Sequence, residues 1–456
     1  MSDEAKTPLR PSLLTALTLI ANTILCGAAF FFGAALVWAF LRSERYPPGS
    51  MNDYYYVFGC GVAVCLFSLR LRPGNRAKAA LLTISAIMTL YLAEVILNLI
   101  RPTQNPRLVA AEAMGVSFDT RPKAEVLAAL AALGIKSSPL VPPIFFAATD
   151  GLRTADGDHL YPLGNISGDH VVDCNESGAF SAYDADEYGY NNPRGSLNLA
   201  TVDVALVGDS FAIGSCVGQG LDIGSRLRRG GTSVINLSNA GNGPLLELAT
   251  LTEYATSQSP KVVFWLFFEG NDPSDILLER ESAILLAYLE EGYSQNLKER
   301  QPEIDRVLEN YIAGQADDLE GNGIVYTLVS IAKLSTLRST IGLELPAPKL
   351  SPLFREALKK AATRTRAWGG EFYFVYLPDW TRYTGKKLRA NPVHRDRVLA
   401  VVDDLAIPTI DLHPAFEAHA DPLSLFPFRI RGHYSSEGFE LVTKELRSIL
   451  GHHKLD

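Results

Sequence analysis

Clustered positive charge is scarce in this 456-residue chain, which has 42 Lys and Arg against 50 Asp and Glu and a formal net charge of −8. Phosphate backbones are bound by grouped Lys and Arg, so a nucleic-acid partner is excluded. There is no internal repeat and no low-complexity tract. Cysteines number only five. Three of them, Cys26, Cys60 and Cys65, lie in apolar stretches, where a small thiol needs no special role. That leaves Cys174 and Cys216.

Charge is also thin near the N-terminus. Ser12–Leu41 has no charged residue, Tyr54–Leu69 is similar but shorter, and Ala79–Ile100 holds only Glu94. Crossing a hydrocarbon core of roughly 30 Å takes about 20 apolar residues. The first and third stretches qualify, and the Tyr54-Tyr55-Tyr56 cluster opening the second resembles an interfacial aromatic anchor. Three transmembrane helices are expected rather than a signal peptide, because the first stretch is too long and others follow it. Lys6, Arg10, Arg70, Arg72, Arg76 and Lys78 fall on one side, against Arg42, Arg45, Arg101 and Arg107 on the other. That excess puts the N-terminus in the cytoplasm and everything after Ile100 outside it. No eukaryotic sorting signal is evident, so the expected location is a bacterial inner membrane, multi-pass, with the soluble part in the periplasm. The lipid bilayer is then a partner.

The expected organisation is a membrane anchor over residues 1–107, a linker with loops packed on the main domain over 108–200, and an α/β domain over 201–456. Residues 201–456 alternate strands and helices. Val202–Val207, Ser233–Leu237, Lys261–Phe268, Glu371–Leu377 and Ile407–Leu412 read as strands, and Pro244–Ser257 and Ser436–Leu450 as helices. Lys261–Phe268 is apolar at nearly every position, as a parallel strand buried on both faces requires. The pattern predicts an open, doubly wound parallel sheet, with ligands beyond the carboxyl ends of its strands. A helical insertion at about 279–350 interrupts the alternation. Its second half, Gly323–Leu343, suits core packing, a lid or a membrane-facing helix.

The strand ends carry an ordered set of residues. Gly208-Asp209-Ser210 follows the first strand, Ser238-Asn239-Ala240-Gly241-Asn242-Gly243 the second, and Glu269-Gly270-Asn271-Asp272 the third; Gly432-His433-Tyr434 precedes the last helix. A serine at a strand mouth is exposed but weak as a nucleophile until a base takes its proton. A late histidine can be that base, since its ordinary pKa is near neutral. The backbone N–H groups of Ser210 and Gly241 and the side-chain amide of Asn271 are candidate donors to a developing oxyanion. Each fragment alone has a blander reading, as an N-cap, a turn or a structural histidine. Together, in this order and at these places, they form a catalytic set.

These blocks resemble those of the SGNH (GDSL-like) hydrolase superfamily over about Thr201–Gly451. Gly208-Asp209-Ser210 matches the first block, Asn236–Asn242 is similar to the second, Gly270-Asn271-Asp272 matches the third, and Gly432-His433 is similar to the histidine block. The resemblance implies a flavodoxin-like three-layer sandwich and ester hydrolysis or acyl transfer through Ser210, with His433, Gly241 and Asn271 in the site. It implies no metal and no organic cofactor. One position departs: the Asp usually found three residues before the histidine is Ile430. Asp411 and Asp379, each after a strand, are the candidates to orient His433 instead; a Ser-His dyad and an inactive site are the alternatives.

Three functions stay open at this stage. The first is an esterase or O-acyltransferase acting on O-acetyl groups of envelope or exported polysaccharide, a substrate class borrowed from the resemblance. The second is a non-catalytic scaffold, favoured by Ile430. The third is a membrane-surface lysophospholipase or thioesterase using Gly323–Leu343. Asp184-Ala185-Asp186-Glu187 reads as a solvated acidic loop rather than a metal site, and His452-His453 as surface. No base is evident for Cys216. In an oxidising compartment Cys174 and Cys216 either pair, tying the polar loop near Gly189-Tyr190-Asn191 to the helix that follows Ser210, or fill separate core niches.

Overall fold

The computed structural model describes residues 11–100, 105–315, 323–341, 343, 348–384 and 392–452. Lys6, Arg10 and Arg101, which enter the orientation argument, and His453 lie outside the described residues. The chain divides into two compact units, residues 1–103 with 323–349 and residues 104–322 with 350–456.

In the first unit the apolar stretches form helices at Pro11–Arg42, Asn52–Ser68 and Pro73–Ile100. Among the described residues, two helices, Thr15–Arg45 and Pro73–Ile100, are long and apolar enough to cross a membrane by length and composition. The middle helix has 17 residues, so at a rise of 1.5 Å per residue it reaches only about 25 Å. Within the tyrosine cluster, Tyr54 is buried, its hydroxyl donating to the Leu343 carbonyl at 2.9 Å, while Tyr56 is exposed. Helices Gly323–Ala332 and Ser335–Thr340 belong to this unit. Glu94 accepts the backbone N–H groups of Thr336 (3.0 Å) and Leu337 (2.7 Å), with Asn98 Nδ2 at 3.0 Å. These are orphan donors of the Ser335–Thr340 first turn, so the acid within the Pro73–Ile100 helix caps a helix distant in sequence.

The second unit is built on five parallel strands: β1 (Val204–Gly208), β2 (Val234–Asn236), β3 (Val262–Phe268), β4 (Glu371–Leu377) and β5 (Thr409–Asp411). Their order is β5-β4-β3-β1-β2, all neighbours parallel. This is the expected flavodoxin-like doubly wound sheet. Alternation along β3 shows why it is apolar throughout. Val263, Trp265 and Phe267 pack in one core with Leu245, Phe354 and Val398, while Phe264, Leu266 and Phe268 pack in the other with Phe211, Leu227 and Phe439. A large side chain buried this way, such as Phe267, stabilises by about 3–5 kcal/mol against alanine. The chain leaves β1 for β2 on one side and returns to β3 on the other, so the strand order reverses between β1 and β3. Their carboxyl ends form the crevice where such sheets bind ligands.

Much of residues 108–200 is structured rather than looped. Ser137–Pro139 pairs parallel with His170–Val172, which pairs antiparallel with Ala182–Asp184. Asp186, expected in a solvated acidic loop, is buried. It accepts the backbone N–H groups of Tyr188 and Tyr190 at 2.9 Å and Asn192 Nδ2 at 2.8 Å, so it organises a turn.

Candidate active site

Gly208 ends β1 because nothing larger fits: a Cβ there would lie 2.7 Å from Ala212 Cβ and 2.9 Å from the Leu266 carbonyl oxygen. Asp209 then turns the chain, its Oδ1 accepting the Phe211 N–H at 2.9 Å, and Ser210 opens a helical turn that stops at Gly214. That turn is only four residues long, so its dipole is a small contributor and activation of Ser210 falls to the base.

A histidine is within reach of the serine. Ser210 Oγ lies 2.8 Å from His433 Nε2. On the other side of the ring, Nδ1 lies 3.2 Å from Glu176 Oε2, which also accepts the His433 backbone N–H at 2.7 Å. Donation from Nδ1–H to the carboxylate leaves Nε2 as the acceptor for the serine proton, the tautomer a general base needs. Glu176 is held in turn by Arg107, whose Nη2 sits 2.7 Å from Oε1 and donates to the Arg431 carbonyl at 2.9 Å. Gly432 makes this approach feasible, since a Cβ there would lie 2.3 Å from Glu176 Oε2. The imidazole also packs on the Phe211 ring, centroids 4.8 Å apart, and Phe211 stacks on Phe268.

Electrostatics agree with this assignment. Burial disfavours the imidazolium, but the hydrogen bond and charge of Glu176, helped by Asp173 and Asp209, outweigh it and hold His433 above its ordinary pKa. Burial likewise opposes ionisation of Glu176, yet His433 and Arg107 hold its carboxyl below the usual range. Behind the serine, burial pushes Asp209 up to about 6 and raises Glu247 and Asp272 well above ordinary carboxyls. Glu176 is therefore the ionised partner of the histidine.

Sequence reasoning missed Glu176. Asp411 and Asp379 do not orient His433, because each is occupied at its own strand end. Asp411 pairs with Arg395 and accepts the His413 N–H at 3.1 Å. Asp379 accepts the Thr381 N–H at 2.9 Å. Glu176 lies 257 positions before His433, in a segment without periodicity. The available signal was Cys174, two residues upstream. Cys174 and Cys216 form a disulfide with Cα atoms 5.0 Å apart, within the range a bridge needs. Cys216, for which no base was evident, places its sulfur 3.3 Å from His433 Nδ1.

The oxyanion candidates stand at the ends of β2 and β3. Gly241 has φ +70°, and a Cβ would meet Ile144 Cγ2 at 2.8 Å, so only glycine fits there without strain. The helix behind it, Pro244–Thr250, is fixed by Glu279, which accepts the N–H groups of Gly243, Leu245 and Leu246 at 2.7, 2.9 and 3.1 Å. Asn271 precedes helix Asp272–Glu279, and its Nδ2 donates to Asp275 Oδ2 at 2.7 Å. The same side chain also hydrogen-bonds the Asp209 carboxyl behind the serine, so the amide is held between two acids beside Ser210. Beside Ala240 lies a cavity of about 380 Å³ lined by Leu140, Pro142, Phe145, Tyr311, Lys123 and Asp173, among others.

No family model matches the chain. No curated protein matches it. Solved structures similar to it include a G-D-S-L family protein from Desulfitobacterium hafniense, at 12% identity over 55% of this chain and 99% of that one, TM-score 0.32. The lipase/acylhydrolase from Enterococcus faecalis is 17% identical over 55% and 97%, TM-score 0.30. An acetyl xylan esterase is 12% identical over 54% and 99%, TM-score 0.30. At such scores these likenesses assign nothing to the site.

Proposed function

We propose that this chain is a serine esterase or O-acyltransferase working through an acyl-Ser210 intermediate. The observation that carries this reading is the chain of contacts from Ser210 Oγ through His433 Nε2 (2.8 Å) and Nδ1 to Glu176 Oε2 (3.2 Å). Ser210 Oγ attacks the ester carbonyl while His433 takes its proton and Glu176 stabilises the resulting imidazolium. The tetrahedral oxyanion is met by the Ser210 and Gly241 N–H groups and the Asn271 amide. Collapse breaks the ester C–O bond, and His433 returns the proton to the departing alcohol. Water, or a second alcohol in the transferase case, then attacks the acyl-serine with His433 again as base.

The membrane tether and the resemblance support O-acetyl groups of envelope or exported polysaccharide as substrate. The Lys/Arg asymmetry supports placing the site in the periplasm of a bacterial inner membrane protein, and a disulfide suits that compartment. The scaffold reading loses its motive, since Glu176 fills the role left open by Ile430. The lysophospholipase reading relied on Gly323–Leu343 as an acyl contact, and those residues fold with the apolar helices. Incubating the purified protein with O-acetylated polysaccharide, with and without an unacetylated acceptor, tests the proposal. Release of acetate means hydrolysis, and acetate appearing on the acceptor means transfer. Neither, in a protein that also fails to cleave 4-nitrophenyl acetate, would sink the proposal.

A further inference from the structure

The Cys174–Cys216 bridge stands closer to the chemistry than a structural staple needs to. Cys216 is fully buried, with φ +63°, in the turn after the serine helix. Its sulfur is 3.3 Å from His433 Nδ1, the same nitrogen that Glu176 holds at 3.2 Å. Its N–H donates to Ser181 Oγ at 3.1 Å, and its carbonyl accepts from Ser177 Oγ at 2.7 Å. Cys174 lies two residues before Glu176, so the bridge ties the carboxylate's own segment to the turn that presents the nucleophile.

We propose that the Cys174–Cys216 disulfide is a positioning element of the active site, holding Glu176 on His433, and that ester cleavage runs only in the oxidised protein. The inference rests on the assignment of Ser210, His433 and Glu176 made above. Two effects follow from breaking the bond. A dithiol delivers two electrons and two protons, the S–S bond opens to two thiols, and the dithiol closes to its own disulfide. Glu176 then loses the covalent anchor two residues away; a displacement of 1 Å in a catalytic group costs up to about 10²-fold in rate.

The second effect is chemical. A disulfide sulfur has no proton to give, so it leaves Nδ1–H to Glu176. A Cys216 thiol at the same place is a weak donor that competes with Glu176 for Nδ1, and the more so once Glu176 is displaced; the ring hydrogen then sits on Nε2 and the acceptor Ser210 needs is lost. Hydrogen bonds also brace the Cys174 segment: Asp173 N–H donates to the Ser181 carbonyl and Ser181 N–H to the Cys174 carbonyl, both at 2.9 Å. Cys174 is half-buried, which gives a reductant access from its side.

The test uses the full-length protein in detergent and 4-nitrophenyl acetate. It compares the oxidised form, the dithiothreitol-reduced form with both thiols verified by alkylation and mass spectrometry, and the Cys174→Ala/Cys216→Ala variant. Near-ultraviolet circular dichroism monitors the fold. Reduction and the double variant should each lower kcat by about 10- to 100-fold with KM within about twofold. The acid limb of the pH profile should move to lower pH as His433 loses Glu176, and reoxidation of the reduced form should restore the rate. Reduced protein that keeps its kcat overturns the inference and leaves the Ser210 assignment intact. A loss of rate that accompanies loss of the folded near-ultraviolet signal also overturns it, because the bridge is then only structural. Oxidised protein with neither turnover nor fluorophosphonate labelling of Ser210 sinks both the inference and the assignment beneath it.

Discussion

Glu176→Gln removes a charge and almost no volume, yet neither orientation of the new amide satisfies its surroundings. In the native site Oε2 receives two N–H groups of His433, from Nδ1 and the backbone, while Oε1 faces Arg107 at 2.7 Å. If the glutamine oxygen faces His433, its NH2 group meets the Arg107 guanidinium; if it faces Arg107, the NH2 group meets two histidine donors. The carboxylate's stabilisation of the imidazolium is lost either way. Loss of the equivalent carboxylate in Ser-His-carboxylate sites costs about 10⁴ in kcat. That figure is for replacement by an amide, as here, so a fall of about 10⁴ is expected, equivalent to about 5 kcal/mol of barrier. KM should hardly move, because Glu176 touches the histidine and not the substrate. The pH dependence gives a second readout. Turnover needs neutral His433 and rises as pH passes its raised pKa; without Glu176 that pKa drops, so the acid limb shifts to lower pH. Steady-state kinetics of 4-nitrophenyl acetate hydrolysis from pH 5 to 9 would show both. A kcat within threefold of wild type, or an unmoved acid limb, would refute the assignment of Glu176.

Other sites give independent checks. Asn271→Ala should lower kcat by about 10²–10³ with little effect on KM; a change confined to KM would make Asn271 a binding residue only. Gly432→Ala should displace the Glu176 carboxylate, whose Oε2 lies 2.3 Å from the new Cβ, and lower kcat about tenfold or more. The flexible end of Glu176 can yield, so Tm should change little; wild-type kcat in this variant would contradict the packing argument. Alkaline phosphatase fused after Gly451 should be active if the second unit is periplasmic, and a fusion active only with a cytoplasmic reporter would reverse the proposed topology.

The sheet was legible because its strands are buried on both faces and so read as apolar runs; β4 matches its expected limits, Glu371–Leu377. The places of Ser210, Gly241, Asn271 and His433 were legible because doubly wound sheets put short polar motifs at strand ends, where they stand out against the apolar runs. Glu176 was not. Its role arises from the close approach of two segments far apart in sequence, and only Gly432 and the cysteine pair mark that approach. Asp186 misled for a related reason: an acid folded into a buried turn looks, in sequence, like an acid in water. The Gly323–Leu343 segment was ambiguous because an amphipathic helix does not name the surface it covers. Its partner proved to be the apolar helices, through Glu94. The middle apolar stretch formed its helix, which at 17 residues is the shortest of the three.

The central claim is that Ser210 is a nucleophile activated by His433. Labelling the oxidised full-length protein with a fluorophosphonate probe tests it most directly, with Ser210→Ala as the comparison and circular dichroism to show that both are folded. The account predicts a single adduct on Ser210 in the wild type, none in the variant, and loss of 4-nitrophenyl acetate hydrolysis along with the adduct. Equal labelling of both proteins, or a folded wild type that takes no probe, would contradict it.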